Sequence, residues 1–321
     1  MSPARTAARP RFTVRTAPLP PEPYPPTGRG AGRPAVREPR SGRTELNLLG
    51  PLEVLHRGHR PQLGSRRVRT VLGYLLLHSN EAVSPDELTA ALWPEEAPLT
   101  APRMVSGAVS ALHGALPAVR TGTPLPTARP GDRGGWLLEA APHEVDLLRF
   151  RRQAARGERQ LADRNWPGAA LTLRRALDLW RGDVLADLAP ECAHWPASEA
   201  VREERWAARL AAVTADLALG RDHDVVRELM VHAEEQPLRP RLTALLMVAL
   251  YRVGRQVDAL AVHHRAREAA VRRTGQQPGR ELRLLQQAVL THDPALLGPG
   301  LPASSAFLVP AVPGTGHGPG T

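Results

Sequence analysis

Arg103, Ser106, Ser110 and His113 follow one another at spacings of three, four and three residues. On a helix that turns about 100° per residue, such spacing gathers them on one stripe, polar and short-chained apart from the arginine. The chemistry open to this stripe is hydrogen bonding rather than bond breaking. Arg, Ser and His on a helix with small neighbours such as Gly107 are suited to base edges in the major groove of duplex DNA. On an isolated helix the same stripe would be only a solvated face, so its meaning depends on what surrounds it.

Other chemistries find little support. All 42 Lys-plus-Arg positions are arginine. A lysine-bearing phosphate loop, a Schiff-base lysine, a Ser-x-x-Lys nucleophile and a kinase lysine are therefore excluded. The chain has neither an HExxH motif nor an EF-hand loop. Cys192 is the only cysteine, which rules out an internal disulfide or a multi-cysteine zinc site and suits a small packed residue. His263 and His264 are adjacent in a helical stretch, face two directions and make a poor metal pair. No catalytic residue, metal or cofactor is expected. No apolar run is long enough to span a bilayer, and the first residues lack the apolar core of a secretory signal, so a cytoplasmic, nucleoid-associated protein with no membrane partner is expected.

The elements that would position the stripe are legible in order. Leu46, Leu48 and Leu49, then Leu52, Val54 and Leu55, flank Gly50-Pro51 as two short strands around a turn. Val68, Val71, Leu72, Leu75 and Leu76 recur at helical spacing. Ser84-Pro85-Asp86-Glu87 then reads as a helix start, with Ser84 as cap, Pro85 in the first turn and Glu87 closing a capping box. A third helix is predicted over 101–116, with Val105, Val109, Leu112 and Leu116 as its inward stripe. Beyond it, Leu125 to Arg129 and Trp136 to Glu139 flank a Gly-rich tip and predict a hairpin. Strands, three helices and a terminal hairpin describe a winged helix-turn-helix, with the hairpin as wing. Arg66, Arg67 and Arg69 open the first helix as candidate phosphate contacts; Arg129 and Arg133 on the wing suit phosphate or the minor groove.

Charge locates the surface poorly. The net charge is +10, but residues 1–43 carry +7 of it and residues 44–142 are neutral. Residues 1–43 are a basic Pro/Arg-rich tail and residues 294–321 a Pro/Gly tail, both expected to be disordered because neither has the apolar content to offset its ordering entropy. The ordered expectation is a winged helix over 44–142 followed by an all-helical domain over 143–293.

That second domain carries a period. Gly254, Ala259, His263 and Ala266 fit the small and aromatic positions of a tetratricopeptide repeat, and Gly220, Val225, Leu229 and His232 keep the same spacings 34 residues earlier. Ala169, Leu173 and Ala176 make a third copy, 56 residues before Val225. Such repeats stack helical hairpins into a concave surface that binds a partner rather than doing chemistry.

From Glu45 to Leu296 the chain resembles the antibiotic regulatory protein family of actinobacteria, in which a response-regulator-type winged helix precedes a bacterial transcriptional activator domain. The segments carrying the resemblance are LNLLGPLEV (46–54), VLGYLLLHSNEAVSPDELTAALWPEEAP (71–98), GGWLLEA (134–140), ALDLWRGDVLADL (176–188) and PLRPRLTALLMVALYRVGRQVDALAVHHRARE (237–268). The resemblance implies a transcription activator of a biosynthetic cluster that binds directly repeated sites near promoters, with homodimer formation on double-stranded DNA and contact with RNA polymerase holoenzyme. Where the family usually ends its reading helix with Leu-Arg, this chain has Leu112-His113; where it has Gly-Tyr in the wing, Trp136 follows Gly135. A competing reading is a repeat-domain adaptor whose winged helix contacts protein only, favoured by the neutrality of 44–142.

Overall fold

A computed structural model of the chain describes residues 44–115, 127–128 and 135–298. The expected Leu116 anchor, the wing tip with Arg129 and Arg133, and nearly all of both tails lie outside these residues. The element order is β1 (Thr44–Asn47), β2 (Glu53–His56), α1 (Arg66–Leu77), β3 (Ala82–Val83), α2 (Pro85–Leu92), α3 (Ala101–Ala115), β4 (Thr127–Ala128) and β5 (Trp136–Leu137). The helices α4 (Asp146–Ala162), α5 (Trp166–Leu177), α6 (Ala189–Cys192), α7 (Pro196–Ala218), α8 (Asp222–Glu235), α9 (Pro240–Arg252), α10 (Gln256–Thr274) and α11 (Arg280–Leu290) follow. This is the expected mainly helical fold, a small winged helix-turn-helix and then an all-helical repeat domain.

Local chemistry explains the first part. β1 and β2 pair antiparallel with Asn47 opposite Glu53, closing the turn at Gly50-Pro51. The Ser84 hydroxyl accepts from the Glu87 N–H and the Glu87 carboxylate accepts from the Ser84 N–H, completing the capping box of α2. β5 lies between β3 and β4 in a three-stranded antiparallel sheet. The two-residue strand β3 has no signature of its own; pairing with β5 creates it.

The repeat is visible in the backbone. α7 and α9 each end in a left-handed glycine, Gly220 with φ 74° and Gly254 with φ 77°. At each, the following arginine N–H returns to a carbonyl five residues back, Arg221 to Asp216 at 3.0 Å and Arg255 to Leu250 at 2.8 Å. These are Schellman closures, a conformation that glycine adopts without Cβ strain. α4 ends the same way through Arg164, φ 56°, with the Asn165 N–H on Gln160 at 2.8 Å. The three closures stand 56 and 34 residues apart, the offsets read from the alanine and leucine positions.

The apolar interior does not divide where the secondary-structure pattern changes. One core runs from Leu46 to Ala215 and joins the winged helix to α4–α7; a second runs from Leu210 to Leu296. Helix α7 serves both. Ala208, Ala211, Ala212 and Ala215 face the first, and Leu210, Val213 and Leu217 the second, which is the opposite side of a helix of 3.6 residues per turn.

Candidate nucleic-acid interface

α3 is anchored by Ala101, Val105, Ala108, Val109 and Leu112, all buried, and packs against α1 and α2. On the other side Arg103, Ser106 and Ser110 are exposed, and His113 is half-buried. Gly107 lies among them, with no atom within 4 Å of where a Cβ would stand. Among the described residues Arg103 has no carboxylate partner, so its guanidinium fork is open to an acceptor from outside. The structure therefore brings the four expected base-reading residues onto one helix, three of them exposed and His113 half-buried.

The phosphate candidates divide. Arg67 is exposed and stacks on Trp93 with its guanidinium carbon 5.8 Å from the ring centroid. Arg66 instead forks onto Glu191 of α6, with its Nη2 2.8 Å from Oε2, and Arg69 pairs with Asp187 while donating to the Leu52 carbonyl at 3.1 Å. A guanidinium already filled by a carboxylate has lost the fork that phosphate would take. In this structure both arginines act as ties between α1 and the segment from Asp187 to Glu191.

A set of positioning residues escaped the sequence reading. Asp146, the first residue of α4, is 1% exposed and accepts the N–H groups of Leu48 and Leu49 at 2.9 and 3.0 Å. The Leu49 carbonyl accepts from the Arg181 N–H at 2.7 Å, the Leu48 carbonyl from Leu185 at 3.0 Å, and that of Gly50 from Ala186 at 3.2 Å. Gly50 adopts φ 152°, and a Cβ there would stand 2.9 Å from the Arg181 Cβ. The LNLLGP and LWRGDVLADL segments are thus two halves of one junction. On its far side Trp195, 2% exposed, donates its indole N–H to the Ala91 carbonyl at the end of α2, 2.9 Å away, and packs edge-on against Tyr74 of α1. The joint presence of the two motifs in one chain was the only advance signal of this contact.

Residues 145–290 match the bacterial transcriptional activator domain. The regulatory protein DnrI of Streptomyces peucetius is 31% identical over 82% of this chain and 98% of its own length. The chain belongs to the actinobacterial antibiotic regulatory protein family. As a member it is a transcriptional regulator of a DNA-binding family, not an enzyme. The regulatory protein AfsR of Streptomyces coelicolor is 35% identical over 84% of this chain, which spans only about a quarter (26%) of AfsR. The solved structure of Mycobacterium tuberculosis EmbR in complex with a low affinity phosphopeptide superposes with a TM-score of 0.71 at 32% identity, covering 78% of this chain and 66% of that one. Among the described residues no helix of this family member is long and apolar enough to cross a membrane.

Proposed function

We propose that this regulator activates a secondary-metabolite cluster, of the antibiotic type, by binding directly repeated DNA sites near promoters as a side-by-side dimer and recruiting RNA polymerase holoenzyme. The observation that supports it most is the exposed Arg103–Ser106–Ser110 edge of a helix whose other side is locked into the core. In this reading Arg103 donates both arms of its fork to a guanine, while Ser106, Ser110 and His113 make shorter-range contacts to neighbouring bases. Arg67 binds phosphate from the start of α1, and Arg129 and Arg133 on the wing add backbone or minor-groove contacts. His113, where the family resemblance implies an arginine, gives a narrower set of base contacts and hence a different operator.

Operators selected from random duplexes with the full chain provide the test. Arg103→Ala is expected to weaken operator binding by about 1–3 kcal/mol, roughly ten- to a hundredfold, with an unchanged thermal transition. Undiminished operator affinity at physiological salt would remove Arg103 from base reading.

A further inference from the structure

A second polar surface lies away from α3, on α7. Arg205 stacks on Trp180 with its guanidinium carbon 4.5 Å from the ring centroid. Arg209, one turn on, stacks on Trp206 at 5.2 Å, and Arg239, the cap residue before α9, approaches the same ring at 4.8 Å. Arg239 is neutralised by Glu203, with Nη1 2.8 Å from Oε2. The other two are not matched in this way. Arg205 has its closest carboxylate in Asp183 at 3.5 Å, an exposed side chain, and its Nε is buried with no hydrogen-bond acceptor among the described residues. The indole N–H of Trp180, on which it stacks, is buried without an acceptor as well. Arg209 has Glu228 3.8 Å away and Glu235 at longer range, and Arg174 holds the Glu228 carboxylate at 2.7 Å. Desolvation pulls both guanidinium pKa values down, and at Arg209 repulsion from Arg205 adds to it.

The contrast with the adjoining surface is informative. An open cavity of about 520 Å³ is lined by Arg174, Asp216, Arg221, Asp224, Arg227 and Glu228. Each of its three arginines has a carboxylate within 2.8 Å. Charge there is balanced within the protein. On α7 two partly desolvated guanidinium groups, flattened on indole rings, are left short of anions, an arrangement costly to a fold and suited to an incoming anion.

We propose that the Arg205–Arg209 face of α7 is a docking site for an acidic segment of a protein partner, with carboxylates at alternate residues. Spacing selects this occupant. Four residues of helix rise about 6 Å, and side chains two apart on an extended chain stand about 6.6 Å apart on one face, so consecutive acidic groups of a Glu-x-Glu strand meet consecutive arginines. The proposal goes beyond operator recognition and does not depend on it.

A fluorescent alternating glutamate–alanine octapeptide, titrated into the full chain at low salt, tests this. Binding is expected, weaker at physiological salt, and absent for the glutamine–alanine counterpart. Arg205→Gln and Arg209→Gln are each expected to raise Kd about tenfold without altering operator affinity, and Arg209→Lys to fall between, since an ammonium keeps the charge and loses the fork. On unmutated protein, bound peptide is expected to protect Arg205 and Arg209 from phenylglyoxal, a readout independent of how the variants fold. Equal binding of the two peptides, or no protection of these arginines, overturns the proposal. Displacement of the peptide by inorganic phosphate or non-operator duplex as readily as by unlabelled glutamate peptide also overturns it and assigns the face to phosphate.

Discussion

A buried carboxylate ties the β1–β2 turn of the winged helix to α4. Asp146 is nearly inaccessible yet accepts two backbone N–H groups from the β1–β2 turn, with Arg181 3.7 Å away. Burial pushes its carboxyl above the usual carboxylate range, against the pull of those N–H groups and of Arg181 and Arg149. Removing the acceptor leaves two buried donors unmatched, so Asp146→Ala is expected to cost about 2–4 kcal/mol, read as a lower urea midpoint of the full chain. A cost below about 0.5 kcal/mol, the level of ordinary surface substitutions, would show that solvent or another group replaces it. In the sequence Asp146 looks like any acid at a helix start. Its partners are 97 and 98 residues away, and no local pattern encodes that distance. Ser84 and Glu87 were legible for the opposite reason, because donor and acceptor lie three residues apart.

At the level of elements, α1 is tied to α6 through Arg66 and Glu191. The Arg66 guanidinium holds the Glu191 carboxyl below the usual carboxylate range. A carboxyl lowered in the folded state contributes stability that is present above its unfolded pKa of about 4.3 and is lost as pH falls through the lower folded value. Glu191→Gln is therefore expected to flatten the acid side of the stability profile while changing little at neutral pH beyond the loss of one exposed pair, checked by urea midpoints across the acidic range. An identical acid slope in the variant would contradict the assignment. Sequence signals placed both ends of α2 and the start of α3, and periodicity placed the body of α1, because each has an inward stripe and flanking cues. They could not say what faces Arg66 and Arg69, since an arginine fork serves phosphate and carboxylate equally.

At the scale of the molecule, the winged helix and α4–α7 share one interior, with Leu48, Leu49, Leu185, Leu188 and Trp195 all 2% exposed or less. The helix-turn-helix is thereby fixed in orientation to the activator domain's first helices. Residues 44–142 alone would expose that junction, so this fragment is expected to melt without cooperativity, whereas residues 44–218 melt as a unit; calorimetry of the two fragments decides, and a cooperative transition in the shorter one would contradict the shared core. The repeat and the winged helix were legible because each has a short-range period, but the join between them was not, being built from backbone groups of segments more than ninety residues apart. Groove entry by the outer edge of α3 can be measured directly, because the only cysteine, Cys192, is buried. Gly114→Cys, on the flank of the edge and outside the proposed base contacts, provides one exposed thiol for a DNA-cleaving iron chelate. The expected result is cleavage confined to the centre of each bound repeat; cleavage that is absent, or no different on operator and unrelated duplex, would mean that this edge does not lie in the groove.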